Sequence, residues 1–301
     1  MRALWWIGIG ILSLAGLLLA ATIGIYISSN YRMSKTYQIA AEPITIPSDA
    51  ASIERGRHLA TSIGQCVDCH GDNLAGKEFL NAPGIIRAYS ANLTSGAGGA
   101  GRTFSDADWV RALRHGVGSD GKPLLIMPAQ GFNALSADDL GALIAYLKSV
   151  PAVDNVPAAS DVQILGRALF VAGQIQALAV ETIDHSTPLT PAVPAGATKE
   201  YGQYLVRVGG CVDCHGPNLS GGPITGAPPS APPASNITPG GEISAWSDAD
   251  FIKTIRTGTN PAGKQLDPFM PYKYLGRLSD DELKAIYLYL KSVPAAATGV
   301  H

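Results

Sequence analysis

The hydrophobic pattern divides the chain into an apolar head and two stretches that repeat one another. From Ala3 to Ile27 no charge interrupts the run, which is broken only by Ser13, Thr22 and glycines. Read as a helix it covers ~37 Å, enough to cross a hydrocarbon layer of about 30 Å with some tilt. Trp5, Trp6 and Tyr26 stand near its two ends, where aromatic rings favour the interface. A cleaved signal peptide is the competing reading. Its apolar core would be long, and Tyr26 to Asn30 makes a poor small-x-small cleavage site, so a retained single N-terminal transmembrane helix over 1–30 is expected.

After a polar spacer over 31–51 carrying Pro43 and Pro47, helical periodicity comes twice, at a period of about 145 residues that suits a duplicated domain rather than a solenoid. Gly56-Arg57-His58-Leu59 answers to Gly202-Gln203-Tyr204-Leu205. Ser105-Asp106-Ala107-Asp108-Trp109 answers to Ser247-Asp248-Ala249-Asp250-Phe251, each with a serine N-cap and acidic residues in the first turn. Ser136-Ala137-Asp138-Asp139 and Ser279-Asp280-Asp281-Glu282 open the last helix of each copy. Those helices carry Leu, Ile and Tyr at three- and four-residue spacing, and Pro151 and Pro294 stop them. The boundaries are set at 52–151 and 199–301, and each copy is expected to stand on its own.

Residues 152–198 belong to neither copy. Val162 to Val180 is mostly apolar, but Gln163, Arg167, Gln174 and Gln176 interrupt it. A second span would carry a costly arginine and three amides, so an amphipathic helix on a module or at the membrane surface is expected. Thr187 to Thr198, with Pro188, Pro191 and Pro194, reads as a semi-rigid linker.

Composition changes this picture little. With 46% hydrophobic and 15% charged residues the chain is not of the disordered class. A net charge of −2 offers no basic face, and no nucleic acid is expected as a partner.

The chemistry sits in one pentapeptide that occurs twice, Cys66-Val67-Asp68-Cys69-His70 and Cys211-Val212-Asp213-Cys214-His215. C-x-x-C-H reads as a covalent attachment site for c-type haem, the cysteines forming thioethers and the histidine meeting the iron. The two motifs use all four cysteines. Structural zinc would need a second ligand pair near each motif, and a thioredoxin-type pair would not require the trailing histidine twice. Two covalently attached haem c groups are therefore expected.

Of four methionines, Met1 and Met33 belong to the head, while Met127 and Met270 fall at matched places and each precedes a proline. They are the expected sixth ligands; core gap-filling is the alternative. His58 and His115 are second-choice axial ligands and otherwise surface residues. A backbone carbonyl at Ala82-Pro83 or Ala227-Pro228 is a candidate acceptor for the second ring nitrogen of the proximal histidine. Arg114 and Arg256 are candidates to meet a haem propionate.

The pattern resembles a class I cytochrome c, over about 52–151 and 199–295. The resemblance implies an all-α architecture of two tandem cytochrome c domains behind the transmembrane helix. A first helix would lead into C-x-x-C-H and cross the last, with Gly56 meeting Tyr146 and Gly202 meeting Tyr289. It also implies a methionine from a later loop on each haem. Asn-Ile-Thr, Trp-Ser-Asp-Ala-Asp-Phe and Met-Pro-Tyr resemble the cytochrome subunits of membrane-bound alcohol and sugar-acid dehydrogenases, which commonly carry three haem motifs rather than two.

The expected function is electron transfer between a dehydrogenase or quinol-oxidising complex and a soluble cytochrome or terminal oxidase. No paired acid and base, activated nucleophile or phosphate loop is present. The enzyme alternative is a dihaem peroxidase or sulfur-compound dehydrogenase, which needs an open or unusual axial position that matched methionines argue against. Because c-type haem is attached outside the bacterial cytoplasm, the haem domains are expected on the periplasmic side of a single-pass chain in the cytoplasmic membrane, with membrane lipid around the helix.

Overall fold

The computed structural model describes residues 2–227 and 231–300. Helix α1 (Arg2–Ser34) is long and apolar enough to cross a membrane, and none of its apolar window is buried by the rest of the protein. It runs a turn further than the expected 1–30. The first copy follows as α2 (Ala50–Thr61), α3 (Cys66–His70), β1 (Glu78–Ala82), β2 (Ile86–Tyr89), α4 (Asp106–His115), α5 (Ala129–Phe132) and α6 (Ala137–Ser149). Strand β3 (Asp161–Val162) and helix α7 (Ile164–Val171) lie between the copies. The second copy is α8 (Lys199–Val208), α9 (Cys211–His215), α10 (Asp248–Thr257), α11 (Tyr272–Leu275) and α12 (Asp280–Ser292).

The fold is mainly helical, but not wholly so. A small antiparallel sheet of order β1-β2-β3 follows the first motif, where the Gly- and Pro-rich sequence gave no periodicity. The serine caps are as expected: Ser105, Ser247 and Ser279 form capping boxes with Asp108, Asp250 and Glu282, and Ser136 accepts from the Asp139 backbone N–H.

The same crossing organises both copies. Helix α2 packs on α6 and α8 on α12, and at each crossing a glycine lets the backbones touch. A Cβ on Gly56 would stand 2.0 Å from the Ala142 carbonyl oxygen and 2.8 Å from the Tyr146 Cβ. On Gly202 it would stand 1.9 Å from the Ala285 oxygen and 2.9 Å from the Tyr289 Cβ. Leu59, Leu143 and Ile144 in one copy, and Leu205, Leu283 and Leu290 in the other, are buried around these crossings, each contributing about 1.5–3 kcal/mol by burial.

The two copies share a core. Ile63, Val67 and Leu143 share one continuous apolar cluster with Leu205, Val208 and Leu283. Matched polar positions also cross between copies. The Tyr204 hydroxyl donates to Asp139 at 2.7 Å, while His58 at the equivalent position meets Glu282, the equivalent acid, at 2.7 Å. Arg55 joins them, with Nε 2.8 Å from Asp139 and Nη1 3.0 Å from Glu282, and donates to the Tyr201 hydroxyl at 2.9 Å. Burial alone would push the Glu282 carboxyl up, but hydrogen bonds from His58, the Ser279 backbone and Arg55 outweigh it and hold it down at about 2. The packing departs from the expected independent cores because Arg55 and His58 reach Glu282, and Tyr204 reaches Asp139, across the boundary.

Spacer and linker are packed too. Arg114 and His115, both fully buried, bind Glu42 of the spacer at 2.7 and 3.0 Å. Arg114 also donates to the Asn133 carbonyl at 2.8 Å and to the Thr187 carbonyl, and His115 Nδ1 lies 3.0 Å from His185 Nδ1.

Candidate functional site

Each Cys-x-x-Cys-His turn is a one-turn helix entered through a left-handed residue, Gln65 at φ 51° and Gly210 at φ 61°. His70 Nδ1 lies 2.7 Å from the Ala91 carbonyl oxygen, and His215 Nδ1 lies 2.7 Å from that of Ser235. An N–H donated there leaves Nε2 as the free lone-pair nitrogen of each ring. The acceptors therefore lie further along the chain than expected. The Ala82 carbonyl is already taken by the Ile85 N–H in the turn after β1, and Pro228 lies outside the described residues. Burial lowers the pKa of both histidines, with the carbonyl contacts opposing it, which keeps the imidazoles in the neutral, ligating form at neutral pH.

The four cysteines form no disulfide. Burial pushes the Cys66 and Cys211 thiols up to about 12 and Cys69 up to about 11.

A cavity of ≈ 500 Å³ opens beside the first motif and is walled by Cys66, Cys69, His70, Met127, Trp109 and Leu113 among others. The structure thus brings the first four predicted site residues onto one space. The second copy also reaches this cavity: Val208, Asp213, Cys214, Phe269 and Pro271 complete its wall. Around the second motif, Cys211 and Met270 pack on the shared core and His215 is buried.

Both methionines sit in the same turn. The Ala129 N–H donates to the Met127 carbonyl at 2.8 Å and the Tyr272 N–H to that of Met270 at 2.8 Å. The first turn is also held from outside its copy, for the Ile126 N–H donates to the Ala177 carbonyl at 2.8 Å and Leu125 forms a β-bridge with Leu178. Ile126, directly before Met127, has φ 62°, a strained value for a β-branched residue.

The donor set and lining fit a haem. The walls are predominantly apolar, the cysteines and histidine adjoin the space, and a thioether faces it. Trp109 Nε1 is the one buried side-chain polar atom without a hydrogen-bond partner among the described residues, and Trp109 lines the cavity. A donor so placed calls for an acceptor within the cavity, such as a haem carboxylate. Sequence reasoning missed this residue; its signal was the mismatch of Trp109 with Phe251.

Other expected candidates lie elsewhere. His58 serves the contact between copies, both ring nitrogens of His115 are engaged, and neither residue lines the cavity. His115 is fully buried rather than at the surface as expected, and His58 is half-buried. Arg114 binds Glu42, and Arg256 donates to the carbonyls of Gly276 and Leu278 and to Asp280, so local acceptors have taken both guanidiniums.

A family profile described as cytochrome c matches residues 200–294, and one described as cytochrome c oxidase, cbb3-type, subunit III matches residues 51–147. The chain is 29% identical over 273 residues to the fructose dehydrogenase cytochrome subunit of Gluconobacter japonicus, covering 85% of this chain and 55% of that protein. It is 28% identical to the cytochrome c subunit of alcohol dehydrogenase (quinone) of Gluconobacter oxydans, covering 83% and 56%. The chain thus spans about half the length of these two relatives. A diheme cytochrome c-type protein of Cereibacter sphaeroides is 24% identical over 94% of this chain and 97% of its own length.

Proposed function

The chain carries two cytochrome c domains, and from that premise we propose that it is a membrane-anchored dihaem electron carrier. Cys66 and Cys69 hold one haem c by thioethers, with His70 and Met127 as its iron ligands. Cys211, Cys214, His215 and Met270 do the same for a second. Bound haem c supplies a one-electron ferric/ferrous couple.

The protein's own residues set the terms of that couple. The Ala91 and Ser235 carbonyls fix the orientation and tautomer of each imidazole. The thioether sulfurs of Met127 and Met270, being soft, favour the ferrous state and raise the potential. The apolar walls keep water away, and Cys214 and Asp213 on the wall of the first cavity bring the two sites together for transfer within the chain.

A dehydrogenase or quinol-oxidising complex is the donor in this reading, and a soluble cytochrome or terminal oxidase the acceptor. The names of the relatives support a dehydrogenase. Helix α1 anchors the chain in the bacterial cytoplasmic membrane with both haem domains on the periplasmic side.

The observation that carries the reading is the repeated constellation: a Cys-x-x-Cys-His turn with a carbonyl-held histidine, and a Met-Pro turn of the same backbone form, in each copy. Carbon monoxide, cyanide and peroxide added to the purified protein test it. A carrier leaves the spectrum of both haems unchanged, whereas a dihaem enzyme binds one of these at an open site.

A further inference from the structure

Helix α7 joins the two copies, yet it packs on neither motif and leaves apolar side chains uncovered. Ile164 is 42% exposed and Leu165 is 50% exposed, in a chain whose exposed large hydrophobics otherwise lie mainly on α1. Its partner is the outer end of α1. Arg167 Nη1 donates to Ser29 Oγ at 2.9 Å and to Asn30 Oδ1 at 2.7 Å, and its guanidinium lies 4.7 Å from the centre of the Tyr26 ring. A second arginine closes the joint from the other side. Arg32 binds Glu181 at 2.5 Å, donates to the Phe170 carbonyl at 3.1 Å, and covers the Phe170 ring at 3.9 Å.

These contacts fix the depth of α7. The uncharged run of α1 ends at Ile27, so with a hydrocarbon layer of about 30 Å the outer boundary falls near Tyr26. Ser29 and Asn30 are then in the headgroup zone, which adds roughly 5–7 Å on each side. Ile164 and Leu165 lie within one helical turn of Arg167, about 5.4 Å along the axis. They stand at the level where apolar side chains meet the acyl boundary and arginines meet headgroups.

We propose that α7 is a second membrane contact, with Ile164 and Leu165 seated in the outer leaflet beside α1 and the two arginines clamping the helices into one rigid foot. The occupant of this face is lipid, because the face is continuous with the lipid-facing surface of α1. The foot also fixes the first haem cavity relative to the membrane: α7 follows β3, which pairs with β2, and the loop after β2 holds His70 through Ala91. The inference rests on α1 spanning the membrane, and its test separates the two.

With four cysteines committed to thioethers, an added cysteine is the single free thiol. Ile164→Cys and Leu165→Cys, each carrying a trifluoromethyl label, are placed as full-length holoprotein in phospholipid nanodiscs. Fluorine NMR lines are then followed with doxyl-labelled lipid or with a water-soluble gadolinium chelate. Leu17→Cys on α1 and Val156→Cys, where the native residue is 77% exposed, serve as references for lipid and water. The proposal requires both α7 labels to broaden with doxyl lipid at least several-fold more than Val156→Cys does. Broadening of α7 by the chelate alone, with Leu17→Cys responding to lipid, overturns the contact while α1 still spans. A Leu17→Cys label that responds to the chelate overturns the span and the contact with it.

Discussion

At the scale of single residues, the account turns on two sulfurs. Met127→Ala and Met270→Ala should each open one haem and leave the other as it was, since the thioethers keep the porphyrin in place. Each variant should lose about half of the near-infrared sulfur-to-ferric-iron band, bind carbon monoxide at one haem, and lower that haem's potential. An unaltered band in either variant would show a different ligand on that haem, although the engagement of His58 and His115 removes the two histidines expected as substitutes. Trp109→Phe tests the fit of the cavity. If the orphaned N–H serves a haem carboxylate, removing it should cost the holoprotein about 1–2 kcal/mol, read as a lower urea midpoint, whereas a donor without a partner costs nothing when removed. The motif cysteines and histidines and the matched methionines could be proposed from the sequence because covalent and coordinate chemistry ties residue type to spacing, and Cys66, Cys69, His70 and Met127 do line one cavity. Their hydrogen-bond partners were not, because a backbone carbonyl has no sequence signature; Ala91 and Ser235 could equally have been other residues.

At the scale of elements, the helical crossings were the most legible part. Repetition marked Gly56 and Gly202, and side-chain type marked Tyr146 and Tyr289, so both ends of each contact carried a signal. Gly202→Ala should destabilise the protein by about 1–3 kcal/mol or more, since the added Cβ would stand 1.9 Å from a carbonyl oxygen and α8 must move off α12. A thermal melt should show a fall of roughly 2–4 °C per kcal/mol; an unchanged melt would mean the crossing is looser than described. The β1-β2-β3 sheet was not legible. Its strands are short, and β3 comes from the segment after the first copy, so no local alternation announces the pairing.

At the scale of the whole molecule, the sequence suggested two beads on a linker and the structure joins them. The reason is physical: a single sequence shows that positions 58, 204, 139 and 282 are polar, but not that each donor finds the other copy's acid. Fragment 199–301 should therefore fold poorly and take up little haem, while the full chain takes up its complement; a well-folded fragment with a low-spin spectrum would restore independent modules. The same cluster sets an acid limit. Glu282 is held at about 2 against an ordinary 4.5, so its contribution is fully present above about pH 4.5 and is lost as pH falls towards 2. The shift corresponds to at most about 3 kcal/mol. Glu282→Gln should be less stable than the parent at pH 7, and the difference should shrink as pH drops through that window; a constant difference would place the effect elsewhere.

The central claim is that each copy carries its own covalently bound haem. Intact-mass spectrometry of the purified chain, followed by digestion and sequencing of the haem peptides, tests it most directly. The account predicts a chain heavier by two haem groups, one on the peptide containing Cys66 and Cys69 and one on that containing Cys211 and Cys214. A single haem group, or haem lost on denaturation with the thiols of either motif free, would contradict it.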